Sequence, residues 1–322
     1  MDVVVLTDKR YLNAASKDDP NKDYFDNLLT EDMMVLDALK KCGLRVDRRA
    51  WCDEAMDWSI TKSALFRTTW DYFDRWSEFS PWLHRVQSQT HLFNAASIVH
   101  WNLDKHYLKD LKNLGVNVVP TEFVKKGGST PLNILSSRLG WTDVVIKPAI
   151  AGAAIDTYRV TIKGNEYICS PDAQTFTNCE SLWQSLVAQQ DMLVQPFLPQ
   201  VIEAGEKSLI WLDGHVTHGV LKKAKTGDFR VQDDHGGTVH SVNVKSEDET
   251  LARDIMSKCI QHCRSRGWDT PMYARVDLMR DNEGQWLLSE LEMVEPELWF
   301  RFNPPAAQIL ARAIQKRLAS LS

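Results

Sequence analysis

The sequence predicts a mixed α/β protein of two or three domains that opens on a parallel sheet and closes on an antiparallel hairpin. Three observations lead there. The chain has 322 residues, enough for more than one core. Its N-terminal part alternates short apolar runs with helical stretches, the pattern of a parallel sheet. Near the other end, Tyr273–Met279 and Gln285–Met293 are strand-like runs joined by Asp281-Asn282-Glu283-Gly284, a turn with Gly at its end. Hydrophobic residues at 43% and charged residues at 25% fit a globular protein. A net charge of -5 argues against a mainly electrostatic role on nucleic acid or an anionic membrane.

Val3–Leu6 reads as the first strand, followed by a loop rich in Asp, Asn and Lys. Thr30 is expected to cap a helix with Met33, Met34, Leu36 and Leu39 close to one face, ended by Gly43. Arg45–Ala50 and Ala64–Arg67 read as the next strands. Ligands of open α/β sheets bind beyond the carboxyl ends of strands, which makes Arg67 and Asp71 candidate substrate contacts. That segment alone favours the plainer reading, a structural salt bridge. Trp76–Ser88 reads as a helix, Ile98–Trp101 as a strand, and Asp104–Leu114 as a helix ended by Gly115. Lys105 falls in the first turn of that last helix, at the positive end of its dipole, where an external anion would account for it. Simple surface placement is the alternative.

Gly127–Thr130 is a loop before the helix Leu132–Leu139. Asp143–Pro148 is a strand in which Lys147 sits within an apolar run and needs an acceptor. Ala149–Ala154 is small enough to approach a phosphate through its backbone N–H groups, although the GKS/GKT ending of a Walker loop is missing. Asp156–Ile162 and Met192–Phe197 read as strands, and Cys179–Gln189 as a helix with Leu182, Trp183, Leu186 and Val187 inward. Leu209–Leu212 and His215–Leu221 pair through Asp213-Gly214. Lys222 to Gly237 is a polar loop holding Arg230 and three glycines, long enough to be functional. Glu249–Arg266 and Pro305–Leu321 close the chain as helices. The six cysteines form no CxxC pair and read as buried or idle thiols in a reducing cytosol. The start lacks a basic leader and no apolar run approaches bilayer length, so a cytoplasmic protein without a membrane partner is expected.

The hairpin carries the chemistry. Pairing Leu278 with Leu287, Asp277 with Leu288 and Arg275 with Glu290 places Ala274, Val276, Leu278, Leu287, Leu291 and Met293 on one face. Arg275, Asp277, Glu290 and Glu292 share the other. Three carboxylates beside one Arg repel one another, and a hard cation relieves this. Mg²⁺ takes one or two carboxylates and completes its shell with water and phosphate oxygens. An ordinary solvent-exposed face is the alternative.

The order of parts resembles the ATP-grasp superfamily. The motifs are WNLDKHYL at 101–108, VIKP at 145–148, VQPFL at 194–198, GEKSL at 205–209, GDFRVQDDHGG at 227–237, and RVDL with SELEMVEP between 275 and 296. RTTWDY at 67–72 and the ELEMVEP ending are similar to one branch, the glutathione-synthetase-like proteins that include a cycloserine-forming cyclo-ligase. The resemblance implies an N-terminal substrate domain at residues 1–97, then a two-lobed grip on ATP with a lid at 98–194 and a catalytic lobe at 195–322. It implies Lys105 and Lys147 on the phosphates, Gln195, Phe197 and Leu198 around adenine, and Glu203 on the ribose. Asp277, Glu290 and Glu292 would hold Mg²⁺, although many members have Asn where this chain has Glu292.

The expected reaction is ATP-dependent ligation of a carboxylate to an amine through an acylphosphate, releasing ADP and phosphate. Its substrate would be amino-acid-like or a small peptide. Arg275, Arg230 and Lys222 would neutralise developing charge. Gly236 and Gly237 would bind the acyl group, and Arg67 and Asp71 would orient the substrate. Intramolecular cyclo-ligation and a non-catalytic nucleotide-binding module are the alternatives, and a homo-oligomer is left open.

Overall fold

The structure is a computed structural model that describes residues 1–14, 16, 18–19, 21–163, 166–170, 179–231 and 236–321. The N-terminal part runs β1 (Val3–Thr7), α1 (Lys22–Lys41), β2 (Val46–Ala50), β3 (Ser63–Thr68), α2 (Trp76–Val86) and β4 (His91–Phe93). Its strands form a parallel sheet in the order β2-β1-β3-β4. Two helices, α3 (Ala96–Leu103) and α4 (Tyr107–Asn113), lead out of it. The middle part is β5 (Glu122–Val124), α5 (Leu132–Leu139), β6 (Asp143–Pro148), β7 (Tyr158–Lys163), β8 (Glu166–Ser170), α6 (Cys179–Gln189) and β9 (Met192–Pro196). Its antiparallel sheet has the order β5-β9-β6-β7-β8. The rest is α7 (Gln200–Ala204), β10 (Glu206–Leu212), β11 (His215–Lys223), β12 (Thr238–Val242), α8 (Ser246–Ser265), β13 (Tyr273–Arg280), β14 (Trp286–Glu292) and α9 (Pro305–Leu321). The third sheet is antiparallel, in the order β12-β11-β10-β13-β14. An N-terminal α/β domain followed by a two-lobed ATP-grasp fold is therefore the architecture of this chain.

The sequence places α5, β6 and α6 within the bounds the structure gives them. On α6, Leu182, Trp183, Leu186 and Val187 recur at helical spacing and are all buried. Elsewhere the structure corrects the reading. Helix α1 starts at Lys22, so Thr30 lies inside it and caps nothing. Its buried face uses Leu28, Val35, Leu36 and Leu39, while Met33 stays exposed. The run from Ile98 to Trp101 is helical, within α3, because burial of Ile98, Val99 and Leu103 on one side outweighs their preference for a strand. Lys105 precedes α4 rather than opening it. Strands β8 and β12 and the short α7 had no clear sequence signal. Cys169 and Cys179 are not idle: strand β8 and helix α6 bring their Cα atoms to 6.1 Å and the sulfurs are bonded. The long loop after β11 is present, with residues 232–235 outside the described residues.

Helix α9 packs beneath the third sheet and against α1, so Leu310, Ile314, Val35, Leu39, Ile210 and Tyr273 share one core. Helices α4 and α8 cover the opposite face of that sheet, with Leu111, Ile255, Val276 and Leu291 buried together. The N-terminal and catalytic parts are also joined by buried polar groups. Glu31 accepts the Phe300 and Arg301 N–H groups at 2.7 and 2.9 Å. Asn94 donates to Tyr273 O and Met293 O at 2.9 and 2.7 Å. Asn102 donates to Leu291 O and accepts from Met293 N, and Tyr107 Oη accepts from Leu291 N at 2.8 Å. Each satisfies backbone that would otherwise be buried unpaired.

Candidate active site

A cavity of about 370 Å³ opens where the three sheets meet. Its floor is the β13–β14 ribbon, and the expected register of that ribbon is wrong. Arg275 faces Glu292, Val276 faces Leu291 and Asp277 faces Glu290, whereas Leu278 faces Leu288. The shift between these pairs is a bulge at Ser289, whose hydroxyl donates to Asp277 O at 3.0 Å. The extra residue changes the phase of β14. Leu288, not Leu287, is therefore fully buried with Leu291, while Glu290 and Glu292 stay on the cavity face with Arg275 and Asp277.

These side chains form a dense ionic floor. Arg275 donates to both Asp277 oxygens at 3.0 Å from Nε and pairs closely with Glu292. Ser208 Oγ donates to Asp277 at 2.6 Å. Lys222 reaches Asp277 at 3.4 Å and pairs closely with Glu206. Lys147 crosses from β6 to bond Glu290 at 2.7 Å, which supplies the acceptor its sequence position demanded. Burial pushes Glu290 up, but Lys105, Lys147 and Lys222 outweigh it and hold the carboxyl at about 2. The Asp277 carboxyl is likewise lowered, Arg275 and Lys222 overcoming burial. Glu292 goes the other way, to about 7, because burial and the neighbouring Asp277 and Glu290 charges exceed the help from Arg275. Glu295 is raised to about 8 by burial and by Glu292. Lys222 is raised, since Asp277 and Glu206 more than offset its burial.

The other walls come from further elements. Lys105 donates through Nζ to Ala151 O at 2.7 Å, tying it to the 149–154 loop. Gly152 in that loop lies against the Phe73 ring, where a Cβ would come within 2.8 Å. Gln195, Phe197 and Leu198 line the hinge side. Phe197 is held by the Arg159 guanidinium 3.7 Å from its ring centroid and by Phe229 edge-on at 6.0 Å. Arg230 lines the cavity and is bonded to Asp228 at 2.8 Å.

Five of the residues singled out from the sequence lie outside these walls. Glu203 is exposed on α7. Arg67 is buried, donating to Pro296 O at 3.0 Å and lying 3.8 Å from Asp32. Asp71 accepts from Trp51 Nε1 at 2.6 Å and from Arg75 at 2.8 Å. The plainer reading, a structural ion pair, is what the structure shows for Asp71, with Arg75 rather than Arg67 as its partner. Gly236 and Gly237 belong to the loop before β12, away from the lining. Sequence reasoning missed Glu206, Glu295, Trp299 and the aromatic Tyr11, Tyr24, Trp70 and Tyr72, all of which line the cavity. Glu206 is the Glu of GEKSL and Glu295 the third Glu of ELEMVEP, but nothing local in the sequence says which way either turns.

Among the described residues, no three His, Cys, Asp or Glu side chains converge as a ready-made metal cage. The donor chemistry nevertheless suits Mg²⁺, which asks for one or two carboxylates and leaves the rest to phosphate and water. Asp277 and Glu290 are directly opposed across the ribbon, and Glu292 lies beside them on the cavity face.

Residues 142–264 match the prokaryotic glutathione synthetase ATP-grasp domain, and residues 3–94 match the N-terminal domain of D-cycloserine synthetase DcsG. The cycloserine biosynthesis protein DcsG of Streptomyces lavendulae is 28% identical over 296 residues, 88% of this chain and 92% of that protein. The crystal structure of D-cycloserine synthetase DcsG is 26% identical with a TM-score of 0.80, covering 98% of this chain and 99% of that one. The D-alanine–D-alanine ligase of Bacillus anthracis in complex with ATP shares the fold, at 13% identity and a TM-score of 0.61 over 100% and 98% of the two chains. The chain thus carries a match to an ATP-grasp domain and shares the fold of ATP-grasp ligases. Within that class it resembles the cycloserine-forming cyclo-ligase of the glutathione-synthetase-like branch.

Proposed function

We propose that the chain joins a carboxylate to an amine through an acylphosphate, in an ATP- and Mg²⁺-dependent reaction on an amino-acid-like or small-peptide substrate. The observation that carries this is the gathering of Lys105, Lys147, Lys222 and Arg275 around Asp277 and Glu290 in one cavity. A carboxylate does not acylate an amine at neutral pH, because oxide would have to leave. Attack of a substrate carboxylate oxygen on the γ-phosphorus forms a C–O–P linkage and releases ADP. The amine, unprotonated at this step, then attacks the acyl carbon, phosphate leaves with the C–O electron pair, and the proton lost from nitrogen passes to the departing phosphate. Negative charge grows on the phosphoryl oxygens and then on the acyl oxygen, and these cations are placed to receive it. Asp277 and Glu290, with Glu292 beside them, would hold Mg²⁺, which when bound neutralises phosphate oxygens. Neither His nor Cys lines the cavity among the described residues, which supports direct attack by the substrate.

The hinge residues Gln195, Phe197 and Leu198 keep their adenine assignment. Glu203 is not retained for the ribose, nor Arg67 and Asp71 for the substrate, because none of them lines the cavity. The division into residues 1–97, 98–194 and 195–322 gains support from the three sheets, which span 3–93, 122–196 and 206–292. No helix among the described residues is long and apolar enough to cross a membrane. A cytoplasmic setting remains our reading.

Intramolecular ring closure is the second reading. It is favoured by the match of residues 3–94 to the DcsG N-terminal domain, since that part supplies the cavity's aromatic wall. A substrate screen with separate detection of ADP and AMP, followed by mass spectrometry of the product, tests both. ADP and an amide are expected. AMP with pyrophosphate would sink the acylphosphate, and a product lighter than its single substrate by one water would select ring closure.

A further inference from the structure

The end of the cavity nearest the N-terminal sheet is walled by aromatic rings. Trp70 stands 5.8 Å from Tyr11 and 6.4 Å from Tyr24, centroid to centroid, and all three line the space. The indole of Trp70 is fixed by its N–H, which donates to Glu295 O at 2.8 Å. Asp74 lines this end as well, and the Arg10 guanidinium lies 5.3 Å from the Tyr11 ring centroid; two of the other charges here are engaged with partners. Arg10 is bonded to Asp8 at 2.7 Å, and Glu297 accepts from Arg301 at 2.6 Å. Glu295 differs in part: Tyr72 bonds its carboxyl, while Oε2 is buried and has no hydrogen-bond partner. Asp32 Oδ1 is the other such carboxylate oxygen among the described residues, but it lies beside Arg67 and lines no part of the cavity.

A buried carboxyl oxygen without a donor is costly, and native proteins rarely leave one unless a ligand or water completes it. Electron-rich ring faces attract a cation. Both features call for the same visitor, a group with positive charge and N–H donors. We propose that this end of the cavity receives the cationic amine of the substrate, with Glu295 Oε2 accepting one of its N–H groups and Trp70, Tyr24 and Tyr11 enclosing its charge. The assignment rests on the ligase reading above for the role of the amine once bound. Glu295 follows Glu292 by three residues on the same strand exit, so the amine would be held beside the phosphate end of the cavity.

Calorimetric titration with alanine, ethylamine and propanoate tests this, on the parent, Glu295→Gln and Trp70→Leu, with ATP titrated as a control. In the parent, alanine and ethylamine should bind, with propanoate weaker by about tenfold or more. Both variants should lose that preference while binding ATP as the parent does. Equal binding of propanoate, failure of both amines to bind, or variants that keep the preference would each overturn the assignment. If Glu295→Gln lacks a cooperative melt, Trp70→Leu carries the comparison. The titration reads binding alone, so an AMP-forming reaction would defeat the acylphosphate mechanism without touching this result.

Discussion

Asp277 and Glu290 carry the same charge into the same floor, yet they should answer differently to its removal. Asp277 is 2% exposed and is held by Arg275, Lys222 and Ser208. Asp277→Asn would leave two buried cations undercompensated, at a cost of about 3–5 kcal/mol. Its inactivity would then mix lost chemistry with lost folding. The Glu290 side chain is 25% exposed, with Lys147 as its hydrogen-bonded partner. Glu290→Gln should lower kcat by about a hundredfold or more while shifting Tm by only a few degrees. ADP release measured beside a thermal melt separates the two cases, and full turnover in Glu290→Gln would remove it from the metal site. Away from the floor, burial holds the His218 imidazole below its ordinary value despite the Leu298 carbonyl 2.8 Å from Nε2. The unfolded chain then binds the proton more readily. His218's contribution to stability is full above its ordinary value of 6.5 and is lost as pH falls through and below it. The raised Glu292 and Glu295 act in the opposite sense over part of this range, so the comparison must be between variants. Urea unfolding at pH values of about 7.5 and 5.5 should show a smaller acid loss in His218→Gln than in the parent.

At the scale of elements, the Ser289 bulge decides what the floor contains. Strict alternation along β14 gives Leu287 and Leu291 the same face, and a sequence has no mark for the one residue that breaks it. The carboxylate face was legible because Arg275, Asp277, Glu290 and Glu292 keep the spacing of two on either side of the bulge. The partners were not: Glu290 meets Asp277 and Glu292 meets Arg275 because the slip is absorbed at Ser289. Ser289→Ala removes a buried hydroxyl bonded to Asp277 O and should cost about 1 kcal/mol. Deleting Ser289 joins Leu288 directly to Glu290 in strict alternation and leaves each residue opposite its present partner, so it should remove the bulge without turning any side chain over. Soluble yield and melting temperature check both variants, and a deletion variant that fails to fold would mean that the bulge itself shapes the floor. Helix α3 failed to read as a helix for a related reason. Ile98 and Val99 suit a strand locally, and only their burial in two different cores, Ile98 under α4 and α8 and Val99 in the N-terminal domain, turns them into a helical face.

For the whole molecule, the order of motifs carried more than any one of them. It placed the lysines, hinge and carboxylates in one cavity although they come from separate sheets. It did not find the aromatic wall, because Tyr11, Tyr24 and Trp70 are scattered across loops and a helix that only the tertiary fold brings together. Nor did it separate Arg67 and Asp71 from the substrate, since their partners Pro296 and Trp51 are distant in sequence. The side chains that join the N-terminal part to the catalytic sheet have one more effect. Strand β14 is the last in its sheet, and an end strand is a template on which a second molecule can polymerise. Here Val119 N and Asn117 O engage Leu288, Tyr107 and Asn102 engage Leu291, and Asn102 and Asn94 engage Met293. The chain has thus closed its own growing edge with amides and a phenol instead of another strand. Asn102→Leu should uncover two ladder groups and cost about 2–5 kcal/mol. It should also convert a monodisperse solution into one whose light scattering climbs with time and protein concentration, while a Leu variant that stays monodisperse would show that the edge is guarded elsewhere.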